Sequence, residues 1–531
     1  MKRTIALVLA AMMLLSVLLS GCGDNSTSSV VSSGSSVATG DAANADPDNP
    51  YANLDLSKTE NIVTYVVGSE PNAIAEVMAQ VNEKTKAAIN TTMEMYFIPS
   101  SELTTKYPLV MAGGDQIDLV YTANHAYYRE QVDKGGFREL DMDFIQTYLP
   151  QTYGVLPESA WEETYINGKI YMVPRNTASI FPDRGPVIDM DVAEKYGYTA
   201  DSFHTWDDFD KFLMAVGTNE VSNGKYAFNA SSVANMYDIG LIYRFNLINN
   251  QASDYMYYSQ LDDPTFEKPF FLHTSEQYKT YVMDMAKYAQ AGIWPSDAIS
   301  NTNGITAMFR NGQTVTGYNN YYNGINTLQG FKEQGINAEM VDIFPEGYRA
   351  LRDSYIGDGM AIPSFCSKPE RAAVLLDFIK NDFETYMLLA GGIEGRHYVY
   401  DEATNTVEPG PEATDYQFDG WAWGIRHQNF QWPKTDDEYI NATNEKLKAN
   451  QIKDEEWPYW GFNFDYNPVS AEWAVISALV TEYGTSFNLG MFGDETEKNY
   501  EEFVAKLKEG GLEKYMEEWN RQRDEFLANN K

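Results

Sequence analysis

The stretch "DGWAWGIRHQNFQWPK" (residues 419–434) holds Trp421, Trp423 and Trp432, with Arg426 and His427 between them. The chain has 10 Trp in all, so this is a local concentration. Trp421 and Trp423 are two apart; on an extended segment they share one face, and Ala422 and Gly424 point the other way. Two rings on one face, with an arginine and a histidine beside them, make a stacking platform with a polar rim. Trp432, followed by Pro433, reads as packing. A second platform is "GYNNYYN" (317–323), where Tyr318, Asn319 and Tyr321 follow a glycine. Alternating Asn and Tyr makes a poor core and a good polar surface. The chemistry offered is binding: a ring packs against an apolar C–H face, as on a pyranose, while hydroxyls take hydrogen bonds from Asn, Asp, Glu, Arg or His.

Bond-making chemistry has less support. The five histidines, His125, His204, His273, His397 and His427, form no H-E-x-x-H pair and no zinc-spaced cluster with cysteine. "GGIEGR" and "IGDGMA" miss the dinucleotide fingerprint, and there is no P-loop and no G-x-S-x-G. "DEATNTVEPGPE" (401–412) lacks the glycine a calcium loop needs at its sixth position. No catalytic residue, metal site or cofactor is expected. With 76 acidic residues, spacing alone does not pick out a hydrolytic carboxylate pair.

Bulk charge narrows the partners. The net charge is −37, which repels phosphate backbones and excludes nucleic acid as a natural partner. The same field favours neutral or cationic ligands over anionic ones. At 531 residues the chain is too long for one core.

The elements that must position these residues begin after an export segment. Lys2 and Arg3 precede an apolar run from Ile5 to Leu19, too short for a confident membrane span. "LLSGC" resembles the bacterial lipoprotein box, which implies cleavage before Cys22 and a diacylglycerol on its sulfur. Residues 23–50 are Ser-, Gly- and Asp-rich and read as a flexible tether. Cys366 is then a lone thiol, expected to pack as a small hydrophobe.

"NIVTYVVG", "TTMEMYFI" and "IDLVYT" read as strands, with an amphipathic helix in "NAIAEVMAQVNEKTKAAI" carrying Ile74, Val77, Met78 and Val81 on one face. That alternation implies a parallel sheet, with ligands beyond the carboxyl ends of its strands, near Gly68–Asn72 and Tyr121–Tyr128. Glu70 would sit at the rim. "SKPERAAVLLDFIKND" opens with Ser367 and Glu370 at capping-box spacing. The tail reads as two helices split by Gly510-Gly511. Trp161 and Trp206 read as core, and His397 as structural.

The ordered series "AGGDQIDLVYTANHAYYREQVDKGGFREL", "INGKIYMVPRNTASIFPDRGPVIDMDVAEKYG", "TWDDFDKFLMAV", "GYNNYYN" and "YIGDGMAIPSFCSKPERAAVLLDFI" resembles the family 1 extracellular solute-binding proteins of the maltose/oligosaccharide-binding type. "WGFNFDYNPVSAEWAVISALVTEYG" is similar to the C-terminal region of the LipO-type lipoproteins of Gram-positive bacteria. The resemblance implies an α/β, two-lobed periplasmic-binding-protein-like fold with a hinge and an interlobe ligand cleft. It implies crossings near Arg175, near Gly357 and around residues 400–430. The implied layout is a signal at 1–21, a tether at 22–57, one lobe of 58–175 with about 357–420, and another of 176–356 with about 421–531 and the C-terminal helices.

Family positions carry over unevenly. Thr122 stands where the family example has a tryptophan, with Tyr121, Asn124 and His125 adjacent. Ala178 replaces a glutamate in the crossing segment, with Arg175 and Asn176 nearby. Tyr237 matches a stacking tyrosine, Tyr318 to Tyr322 an aromatic stretch, and Glu472-Trp473 a C-terminal Trp-Tyr pair. The implied protein is a monomeric, non-enzymatic lipoprotein on the outer face of the cytoplasmic membrane. It would capture an oligosaccharide and pass it to the permease subunits of an ABC importer. A peptide or other small-solute receptor on the same fold is one alternative, and a surface glycan-degrading enzyme is another.

Overall fold

The computed structural model describes residues 50–531 except 100–101, 114–115, 177–179, 221–223, 229, 232–235, 250–255, 264, 267, 302–304, 322–327, 329–330, 333, 402–405, 417–423, 426–437 and 530–531. Cys22, Ala178, Trp421, Trp423, Arg426, His427 and Trp432 therefore lie outside the described residues, as do the export segment and nearly all of the tether.

Two sheets organise the chain from Asn53 onward. The first has the order Thr91–Ile98, Glu60–Val67, Leu119–Thr122, Gly359–Ala361, Val173–Pro174. Glu60–Val67 runs parallel to both its neighbours, while Gly359–Ala361 runs antiparallel to the strands on either side. Ile62, Val63, Val66 and Val67 are all buried, because a parallel sheet is covered on both faces and its strands read as near-continuous apolar runs. Helix Ile74–Ile89 lays Val77, Val81, Thr85 and Ile89 on this sheet at four-residue spacing, with Ile74 and Met78 half-buried beside them.

The second sheet has the order Ala338–Met340, Arg184–Asp189, Thr314–Asn320, Tyr226–Phe228. Here Arg184–Asp189 is the strand that runs antiparallel to its neighbours. In each sheet the reversed strand is thus the first one the chain forms after arriving from the other. The two arriving segments pair with each other through Ile180–Phe181 and Leu351–Arg352. The result is a mixed α/β molecule of two lobes joined by paired crossing strands.

The second core also takes in the C-terminus. Trp457, Tyr459 and Phe462 enter it, with Tyr515 and Trp519 from helix Leu512–Asn529. Trp519 stacks on Tyr257 with centroids 3.8 Å apart. Helices Thr496–Glu509 and Leu512–Asn529 flank the Gly510-Gly511 break. Trp161 and Trp206 are buried.

Two local expectations are corrected. Helix Pro369–Asn381 is capped at Lys368 with no side-chain hydrogen bond, so Ser367 forms no capping box. Pro369 has no N–H for a cap to satisfy and its ring presets the first-turn φ, which starts the helix one residue late. Cys366 is half-buried, and its thiol donates to Asp118 Oδ1 at 3.3 Å while accepting from the Lys368 amide. Burial pushes this thiol up to about 12, so it acts as a hydrogen-bonded donor rather than a passive hydrophobe.

Candidate functional site

Both crossing segments lie at the carboxyl edge of the first sheet, and a buried arginine ties them together. Arg175 is 2% exposed. Its guanidinium donates to Asp358 Oδ2 at 3.0 Å, to Asp353 Oδ2 at 2.5 Å and to the Ser354 carbonyl at 2.6 Å. Burial pulls its pKa down, but the carboxylates of Asp353 and Asp358 outweigh this and hold it above the ordinary range. Gly357 is small for a reason: a Cβ there would lie 2.7 Å from the Arg175 Nη2.

Lys380, 1% exposed, closes the same junction. Its ammonium donates to the Pro174 carbonyl at 3.1 Å and to the Gly424 carbonyl at 3.2 Å. Burial lowers its pKa to about 8, against the pull of Asp358 and Asp377. Gly424, at φ +61°, packs on Gly359, where a Cβ would come within 2.4 Å of backbone. Gly424 is thereby pinned to the junction.

Beside this junction the first lobe presents the loop after strand Leu119–Thr122. The Thr122 hydroxyl donates to the Ala126 carbonyl, and the Asn124 amide donates to the Ile356 carbonyl of the second crossing segment, at 2.9 and 2.8 Å. The loop holds His125 open to solvent, its Nδ1 3.1 Å from Asn124 Oδ1. Surrounding atoms still desolvate the imidazole and keep its pKa below the usual value, despite the carboxylates of Asp353 and Asp358. An exposed side chain that is nonetheless desolvated is what a concave surface produces.

The second lobe presents a charged and aromatic wall. Arg184 Nη1 donates to Asp238 Oδ2 at 2.9 Å, and its Nε lies 3.7 Å from Asp183 Oδ1. The Tyr243 hydroxyl donates to Asp183 at 2.9 Å, and the Tyr321 amide donates to the Asp183 carbonyl. Burial raises the Asp183 pKa, against the pull of Arg184 and the Tyr243 hydrogen bond. Asp238 and Tyr243 both come from the π-helix Tyr237–Tyr243, a rare form that is frequent at functional sites. Tyr318 sits two pairs along the strand register from Asn320, which faces Arg184; its ring stacks on Phe228, and the Arg184 charge acts on its hydroxyl. Tyr237 meets Tyr281 edge-on at 6.0 Å. The field of the Asp353 carboxylate reaches both His125 and Asp183.

The other expected residues divide. Asn176 is 2% exposed with neither amide atom hydrogen-bonded, directly after Arg175. Asn319 is half-buried next to Tyr318, and Glu70 is exposed at the carboxyl end of strand Glu60–Val67. Two residues are buried rather than open to ligand. Tyr121 is 1% exposed, since every residue of Leu119–Thr122 is covered on both faces. Tyr321 is buried against Gly185, with its hydroxyl on the Val341 carbonyl. Glu472 pairs with Lys514 in the C-terminal helices. Its neighbour Trp473 stacks on Tyr466 at 4.8 Å. Sequence reasoning missed Asp183, Arg184, Asp238 and Asp353. The adjacent Asp-Arg of "FPDRG", just before a buried strand, was the available signal.

The family of bacterial extracellular solute-binding proteins matches residues 76–393. The chain belongs to that family. Residues 458–528 match a domain of unknown function (DUF3502). A carbohydrate ABC transporter substrate-binding protein of Streptococcus pneumoniae serotype 4 is 21% identical over 483 residues, spanning 88% of this chain and 91% of that one. Among solved structures, the N-glycan transport solute-binding protein NgtS of S. pneumoniae with Man1GlcNAc superposes with a TM-score of 0.71 at 18% identity, covering 88% of this chain and all of that one. The S. pneumoniae substrate-binding protein FusA with kestose gives 0.63 at 16% identity, covering 89% and 100%.

Proposed function

We propose that this solute-binding protein captures a carbohydrate, an oligosaccharide, in the cleft between its lobes and delivers it to the permease subunits of an ABC importer. The observation that carries this reading is the wall of Arg184, Asp238, Tyr237 and Tyr318 beside a neutral His125. Carboxylates accept from hydroxyls, a guanidinium donates to them, and tyrosine rings pack against C–H faces. The relatives named above support the same ligand class. Trp421 and Trp423 supply a further stacking wall, and Cys22 carries the lipid that holds the protein at the outer face of the cytoplasmic membrane. Lobe closure about the crossing segments traps the ligand, because contacts made only in the closed state shift the population toward it. The protein works as a monomer without cofactor and performs no covalent chemistry.

A thermal-shift screen of the soluble fragment from about residue 50 tests the ligand class. Stabilisation by oligosaccharides is expected. Stabilisation by peptides alone would replace the carbohydrate reading with a peptide receptor, and turnover of a glycan without saturable binding would point to a hydrolase. Alanine at Trp421 and at Trp423 separately should weaken binding with the melting temperature unchanged. Cys22→Ser should release the protein from the membrane fraction and abolish radiolabelled palmitate incorporation.

A further inference from the structure

We propose that the cleft selects uncharged polyhydroxylated ligands and turns away their carboxylated counterparts, and that Asp183, Asp238 and Asp353 carry this selection. The proposal rests on the carbohydrate reading of the same site and adds the charge class of the ligand.

The argument is a comparison of which charges an incoming ligand can touch. Arg175 is 2% exposed and already engaged by Asp353 and Asp358, the latter fully buried. Arg184 is 40% exposed, but its guanidinium is bound to Asp238 and adjoins Asp183. The partly open carboxylates are Asp183 at 30%, Asp238 at 37% and Asp353 at 47%. Among the described residues of this wall, three accessible carboxylates thus face one accessible guanidinium. His125 adds no compensating charge near pH 7, since its surroundings disfavour the imidazolium.

A ligand carboxylate placed here has two options, both unfavourable. It can take Arg184 from Asp238 and leave that aspartate unpaired, or it can lie beside the aspartates with no partner. Like charges a few ångströms apart in a partly desolvated cleft repel far more strongly than in water. A hydroxyl at the same place donates to an aspartate or accepts from Arg184 without breaking their pair. The chain's net charge of −37 adds a long-range bias in the same direction.

The test uses matched pairs. Neutral manno-, fructo- and gluco-oligosaccharides are titrated calorimetrically into the purified protein, each against a counterpart with one primary hydroxyl oxidised to a carboxylate. For any neutral sugar that binds, the carboxylated member should bind at least about tenfold more weakly at low salt. That ratio should shrink at high salt, because part of the repulsion is screened. Asp238→Asn and Asp353→Asn should each reduce it further. Equal affinity within a pair, or a ratio indifferent to salt in the wild-type protein, overturns the proposal even if neither variant folds. Failure of every sugar, neutral and charged, would instead sink the carbohydrate reading itself.

Discussion

The first lobe brings to the cleft a neutral imidazole on a loop held by one short-range bond and one tie to the second crossing segment; the second brings a guanidinium held between two carboxylates. On the first wall, the bond from Thr122 to Ala126 spans four residues and sets the position of His125 locally. On the second, Arg184 reaches Asp238 across 54 residues and Tyr243 reaches Asp183 across 60. One wall is shaped mainly by a tight loop with a single long-range tie, the other by a network built on long-range contacts. The charge that discriminates between ligands therefore sits on the wall whose geometry depends most on tertiary packing. The field of Asp353, which Arg175 holds, reaches both, so disturbing the junction disturbs both.

The largest effect should follow from breaking that junction. Arg175→Met takes the guanidinium from the fully buried Asp358, and should cost about 3–5 kcal/mol in denaturant unfolding. A loss below ~1 kcal/mol would mean the walls are positioned independently of it. Lys380→Met tests the same region through pH. The folded-state pKa of Lys380, about 8, lies below its unfolded value, so the unfolded chain holds more protons between the two. The stability of the wild type relative to this variant should accordingly rise from about pH 8 to about pH 10.5, and fall back as the pH drops through 8. A flat difference across that window would show that Lys380 is not buried as an ammonium.

Smaller effects separate the walls. Tyr243→Phe removes one hydroxyl from the half-buried Asp183 and should cost about 0.5–1.5 kcal/mol of stability, with ligand affinity lowered through the displaced Arg184. Full retention of both would detach Tyr243 from the second wall. The smallest change is expected from His125→Gln. The folded-state pKa of His125 is depressed, so its contribution is present above the unfolded value near 6.5 and is lost as pH falls through the folded one. The variant should lose the acid limb of the binding profile and keep its neutral plateau. A change at neutral pH larger than that of Tyr243→Phe would reverse the ranking of the walls.

How much of this could be read in advance follows the same division. Strands Glu60–Val67 and Thr91–Ile98 and helix Ile74–Ile89 announce themselves through apolar runs and four-residue spacing, because burial on a regular element repeats along the chain. Tyr121 was misassigned to the site because a ring at the carboxyl end of a strand looks available, although a sheet covered on both faces buries every position. Tyr321 is buried for a related reason: Gly185, the group it packs against, is far away in the chain. Asp183 and Arg184 gave only two adjacent charges with no spacing to mark their role.

What the sequence determined by itself was the local and the cumulative: which segments are strands and helices, where the aromatic and polar residues concentrate, and a net charge that disfavours anionic partners. These depend on residue type and on neighbours within a few positions, and charge simply sums. Only the tertiary structure decided which of the charges meet. Arg175 is engaged by Asp353 and Asp358, Arg184 is shared between Asp183 and Asp238, and Lys380 is pinned to the carbonyls of Pro174 and Gly424 because segments far apart in the chain converge there. Electrostatic interaction falls with distance and strengthens with burial, and neither quantity exists for these residues until the chain has folded.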